Sequence, residues 1–174
     1  MEPVKKELLL GQTLTFPVDP FLSGWESVLH EFHGGVLVEN GRIAATGAGT
    51  ELRRANPGVP VTDYGQCLIL PGFIDAHVHY PQTAIIASWG KRLIDWLNSY
   101  TFPEELRFGD PGYAREAAKT FFDLSLANGT TTVSSFCSVH PESVDAFFAE
   151  ASARGLAAVG GKTCMDRNAP DGLT

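Results

Sequence analysis

A chain of 174 residues and 18.8 kDa has the size of one domain, or of a small domain with part of a larger one. Hydrophobic residues are 44% of it and charged residues 19%, enough for a buried core, while 18 glycines and 11 prolines favour short elements joined by many turns. A net charge of −7 argues against a general binder of phosphate backbones, and no apolar run reaches the length of a membrane span, so neither nucleic acid nor membrane is an expected partner.

The first third reads as β structure. Glu7 to Thr15 is a candidate strand, and Phe16 to Gly24 is broken by Pro and Gly. Gly34 to Gly47 reads as a hairpin turning at Glu39-Asn40-Gly41, because Asn and Gly both tolerate positive φ. A short helix is expected over Glu51 to Ala55, stopped by Asn56-Pro57-Gly58, and a short strand over Val59 to Tyr64. His30 and His33 are read as solvated histidines in a loop.

From Leu68 the rhythm changes. Phe73 to His79 is a short strand led in by Pro71-Gly72, and Arg92 to Asn98 has helical spacing of apolar residues. Asp110-Pro111 starts a helix as an N-cap carboxylate followed by Pro, and Asn128-Gly129 ends it. Thr130 to Phe136 is β-branched and reads as a strand. Pro141 opens a second helix, with Val144, Phe147, Phe148 and Ala151 expected inward, that stops at Arg154-Gly155. Leu156 to Gly161 is a third strand. This βαβαβ rhythm means a parallel α/β sheet with right-handed crossovers; local pattern alone leaves open a doubly wound sheet or the start of a (β/α)8 barrel.

The segment that carries chemistry is Pro71-Gly72-Phe73-Ile74-Asp75-Ala76-His77-Val78-His79. Alternation along a strand sends Asp75, His77 and His79 to one side. Two imidazoles at i and i+2, near the C-terminal end of a parallel strand, suit one divalent cation, and zinc suits imidazole. Asp75 is placed to orient a ring from behind. Two histidines that merely share an ordinary strand are the alternative. His140 precedes Pro141 as a helix-entering residue, with a pocket role as the other option. The cytidine-deaminase architecture needs His-x-Glu and Pro-Cys-x-x-Cys; neither is expected to serve here, and that chemistry is read as excluded. Cys67, Cys137 and Cys164 are odd in number and far apart, as in reduced thiols of a cytoplasmic protein, and burial is the expectation for Cys137 and Cys164.

Pro-Gly-Phe-Ile-Asp-x-His-x-His resembles the first barrel strand of the amidohydrolase superfamily. The segments His79-Tyr80-Pro81-Gln82, Leu93 to Leu97, Tyr100 to Glu105, Asn128 to Thr132, Val139-His140-Pro141 and Gly161 to Pro170 extend it. From about residue 68 onward they are similar to the guanine deaminases within that superfamily. The resemblance implies hydrolysis of guanine to xanthine and ammonia with one zinc ion, held first by His77 and His79, and with Gln82 on the purine edge. Without the resemblance, Gln82 reads as an exposed loop amide. It also implies a homodimer, a small β-sandwich segment over residues 1–67, and the N-terminal part of a metal-dependent barrel over 68–174.

An eight-fold barrel takes about 200–250 residues, so room for only about three βα units is expected here. The resemblance implies that the remaining ligands and the proton-shuttling carboxylate come from later strands, so they are expected beyond Thr174, with no catalytic acid in the chain and no activity from it alone. Trp89 and Trp96 are candidates for stacking on a base or for core packing. The alternatives are an amidohydrolase for another aminopurine, a triazine or a cyclic amide, and a non-catalytic amidohydrolase-like assembly protein.

Overall fold

The computed structural model describes residues 5–174, which form two compact units, one ending at Pro71 and one spanning Gly72–Thr174. In the first, β1 (Lys6–Thr15) runs antiparallel to β2 (Leu29–Glu39) and parallel to β4 (Val61–Ile69), while β3 (Arg42–Ala48) closes the order β3-β2-β1-β4. Two short helices, α1 (Pro20–Ser23) and α2 (Gly49–Ala55), accompany the sheet. The β2–β3 turn has φ of 52° at Asn40 and 76° at Gly41, the left-handed pair that a tight hairpin needs. Leu8, Val36 and Leu37 are buried on this sheet.

Three boundaries differ from the sequence reading. β2 begins at Leu29, so His30 and His33 lie on a strand rather than in a loop; both are exposed, and His30 Nε2 is 3.0 Å from Gln12 Oε1 on the neighbouring β1. Pairing with β1 carries the strand back past the point where hydrophobic alternation stops. β4 runs on to Ile69 because Leu68 and Ile69 pair with Gln12 and Thr13 of β1. The broken stretch after β1 holds α1, whose N-cap Asp19 accepts from Phe21 N–H.

The second unit contains a parallel sheet of β5 (Phe73–His79), β6 (Thr130–Cys137) and β7 (Ala157–Lys162), in that order. Between β5 and β6, a 3-10 turn over Tyr80–Ile85 leads to α3 (Leu93–Trp96). A π-helical turn at Leu97–Thr101 continues α3 into α4 (Phe102–Leu106), so the helical stretch runs past the expected stop at Asn98. The crossover is completed by α5 (Pro111–Ala127), capped by Asp110 through the N–H groups of Gly112 and Tyr113. Asn128 accepts the chain off α5 and Gly129 turns it at φ 80° into β6. α6 (Pro141–Arg154) then crosses to β7 and ends on left-handed Gly155.

Gly72 explains the Pro-Gly lead-in to β5. A Cβ there would stand 2.2 Å from Thr131 Oγ1, so only glycine lets β5 start beside β6.

The core of this unit is aromatic. Tyr80, Phe108, Phe122 and Phe147 are wholly buried, and Tyr80 stacks on Phe147 with ring centroids 5.3 Å apart. Cys137 joins this core, and burial pushes its thiol up to about 11. Cys164 is exposed, against expectation, because it lies in the irregular chain after β7. Phe148, expected inward, remains 38% exposed; it is one step round α6 from Phe147, which takes the position under the sheet.

Phe147→Ala should therefore destabilise the second unit by about 3–5 kcal/mol, while Phe148→Ala should cost markedly less. Urea unfolding of both variants measures the difference; equal losses would show that the core is not centred on Phe147.

Candidate functional site

Asp75, His77 and His79 line one open groove of about 570 Å³ that runs along β5 and the turn following it, together with Gln82 and Trp96. The strand period of two puts the first three on one face. The ring centroids of His77 and His79 are 5.4 Å apart, at 72° to one another. His79 is half-buried; its burial first, and His77 second, hold its imidazole below the ordinary value. A neutral imidazole is the form that offers a lone pair to a cation.

Phe136 completes this corner. It is the register partner of His79 on β6, stacks on the His79 ring at 4.8 Å, and meets the His77 ring edge-on at 5.4 Å. Nothing in the β5 motif signals it; the signal is its position at the same level of the next parallel strand.

Asp75 Oδ1 accepts from the backbone N–H of His77 at 3.2 Å, a bond that ties the strand to itself and leaves Oδ2 for another partner. A carboxylate two residues before an N–H reaches that backbone group more readily than the ring beyond it.

The end of β5 is fixed by Tyr80. Its N–H donates to Ser135 Oγ at 3.1 Å, and its hydroxyl donates to the Ser143 carbonyl at 2.5 Å and lies 2.8 Å from Ser143 Oγ. Ser143 Oγ also accepts from Ser138 N–H. Burial raises the Tyr80 phenol well beyond its usual range, so it remains a neutral donor.

Gln82 lies in the 3-10 turn, part-buried, and its Nε2 donates to Glu105 Oε1 at 3.4 Å. Glu105 is 4% exposed, and burial raises the pKa of its carboxyl against the opposing effect of the Gln82 hydrogen bond. Sequence reasoning quoted Glu105 within a motif and gave it no role. Trp96 Nε1–H donates to the Ser88 carbonyl at 3.1 Å, which holds the indole along the groove. Trp89 is 76% exposed and does not line the groove. His140 is the N-cap residue of α6, but its side chain makes no capping bond; among the described residues its buried Nε2 has no hydrogen-bond partner, and its ring packs beside Gly109 rather than in the groove. His140-Pro141-Glu142 does have the His-x-Glu spacing, but without the cysteine pair of the cytidine-deaminase architecture.

Among the described residues, no group of three or more His, Cys, Asp or Glu side chains is gathered to hold a metal. No described helix is long and apolar enough to cross a membrane.

Residues 68–173 match the amidohydrolase family. The chain belongs to the amidohydrolase family. Residues 34–58 also match an imidazolonepropionase-like composite domain of bacteria. The chain is 44% identical over 141 residues to a guanine deaminase of Escherichia coli K12, covering 80% of this chain and 32% of the relative. A probable guanine deaminase of Deinococcus radiodurans is 41% identical over 157 residues, covering 87% and 35%. The chain thus spans about a third of the length of the curated relatives it matches. Among solved structures, guanine deaminase from Bradyrhizobium japonicum superposes with a TM-score of 0.85 at 36% identity, covering 97% of this chain and 37% of that one. A guanine deaminase from C. acetobutylicum with guanine in its active site superposes with a TM-score of 0.77 at 29% identity, covering 97% and 39%. With this amidohydrolase fold, the three-stranded sheet is the opening run of βα units of a (β/α)8 barrel.

The raised pKa of Glu105 has a direct consequence for stability. In the folded chain the ionised form is disfavoured by burial. The cost is absent below the unfolded pKa, where both states are protonated, and complete once pH passes the folded value. Glu105→Gln should therefore raise Tm at about pH 7.5, with the gain shrinking toward about pH 4. Thermal melts at both pH values check this; a gain independent of pH would contradict it.

Proposed function

We propose that this chain supplies His77, His79 and Gln82 to a zinc-dependent deaminase that hydrolyses guanine to xanthine and ammonia. The supporting observation is the convergence of two imidazoles and one carboxamide on a single groove, in a chain whose relatives bear the name guanine deaminase. The donor set fits zinc: two nitrogen ligands on one strand face, with His79 held toward its neutral form. When bound, zinc supplies Lewis-acid chemistry that makes water nucleophilic near neutral pH.

The chain's own residues have separate tasks. His77 and His79 hold the ion, and Phe136 restrains both rings. Gln82 binds the purine edge, because a carboxamide offers a donor and an acceptor side by side. A catalytic zinc takes at least three protein ligands, so a further donor must join the two imidazoles. In this reading residues 1–67 are a small β-sandwich segment and residues 68–174 the first part of the barrel. The holoenzyme acts in the cytoplasm as a homodimer, on a small molecule and on neither nucleic acid nor membrane.

In the zinc-loaded holoenzyme, His77→Ala or His79→Ala should remove most bound zinc and nearly all ammonia release from guanine. Metal content and turnover at wild-type level in both variants would overturn the assignment. Gln82→Leu should keep the metal and lower kcat/KM for guanine by roughly one to two decades, the cost of about 1–3 kcal/mol for one unpaired buried hydrogen-bonding group. Unchanged guanine kinetics would leave Gln82 a turn residue with no contact to the purine.

A further inference from the structure

Glu104 and Glu105 are neighbours on α4, and both carboxyls are buried, yet their surroundings differ. Glu104 is met by the Arg107 guanidinium at 2.9 Å and by the Tyr113 hydroxyl, and Arg107 in turn lies 3.8 Å over the Tyr113 ring. Its charge is balanced locally. Among the described residues no cation lies within ion-pair distance of Glu105, and its one side-chain hydrogen bond comes from Gln82, 23 positions earlier.

A buried acid facing a single carboxamide is a poor device for stability. An apolar side chain of similar volume would avoid the desolvation cost. The arrangement does achieve something else. An ionised carboxylate can only accept, so it draws the NH2 end of Gln82 toward α4. That leaves Gln82 Oε1 and the second amide hydrogen for a ligand in the groove, which Gln82 lines together with His77 and His79. A carboxamide without such a partner has two flip states of nearly identical shape, and these present donor and acceptor in opposite order.

We propose that Glu105 is a positioning residue that selects the flip state of the Gln82 carboxamide, and thereby the donor–acceptor order met by a purine edge. This rests on the reading that Gln82 binds guanine. Glu105 touches neither guanine nor metal; its whole effect passes through Gln82. The partner it specifies is a planar heterocycle whose edge carries adjacent donor and acceptor atoms in one order and not the reverse.

The test is a double-mutant cycle in the zinc-loaded holoenzyme, with steady-state guanine kinetics and a thermal melt for each variant. Glu105→Leu should raise KM for guanine about ten-fold with kcat largely retained, as expected when one binding interaction is lost equally in ground and transition states. Glu105→Gln should fall between wild type and Glu105→Leu, because an amide can accept from Gln82 or donate to it. It is also nearly isosteric, which keeps the test valid if the leucine variant folds poorly. In a Gln82→Ala background neither change should have a further effect on KM. Equal fold-losses in both backgrounds, or a fall in kcat at constant KM, would overturn the role of Glu105 while leaving Gln82 as a guanine contact. Absence of guanine turnover in the wild type would instead overturn the guanine reading, and a Gln82→Ala variant with unchanged kinetics would overturn the contact between Gln82 and guanine; this inference falls with either.

Discussion

The second unit depends on where one tyrosine is held. Tyr80 follows His79 directly, and it is tied by its N–H to β6 and by its hydroxyl to the first turn of α6. Its ring is enclosed by Phe108 and Phe147. The alternation of the strand therefore ends in a fixed place: His79 on the groove side, Tyr80 in the core. A slip of one residue in β5 would exchange them, burying an imidazole among aromatic rings and exposing a tyrosine. The aromatic core is thus what determines the register of the histidines, through the one core ring that adjoins them in the chain.

How much of this was legible in the sequence depended on how local each signal was. The Asn40-Gly41 hairpin, the Asp110 cap and the glycine stops after α5 and α6 were legible because each needs only a few adjacent residues. The same-side placement of Asp75, His77 and His79 follows from strand period alone. Long-range pairing was not legible: β2 and β4 are extended by their hydrogen bonds to β1, through residues with no alternating pattern. Phe136 and Glu105 were missed for the same reason. One meets the histidines across a parallel register, the other meets Gln82 across 23 residues of intervening turn and helix. Exposure of Cys164 follows from irregular chain after β7, which no residue type there announces.

The two adjacent glutamates show how burial alone underdetermines a role. Glu104 and Glu105 differ little in exposure, but one sits in a closed local network and the other reaches a residue of the groove. A local ion pair on one helix holds that helix together and requires nothing from the site. A carboxylate whose hydrogen bond leads to a groove residue trades stability for orientation, and such trades cluster at functional sites. The direction of the partner, not the depth of the acid, separates the two.

The same distinction accounts for the shape of the site. In a parallel sheet each strand offers its C-terminal end to a common rim, and each contributes one or two side chains there before the chain turns into a helix. β5 contributes two imidazoles, the turn after it a carboxamide, and β6 an aromatic ring. No single strand can surround a cation, because side chains on one face lie in a row rather than around a point. If His77 and His79 hold zinc as proposed, the rest of its coordination shell comes from strands that are distant in sequence. The compact His-x-His motif is the part that strand geometry allows to be local, and everything that would make it reactive has to arrive through the fold.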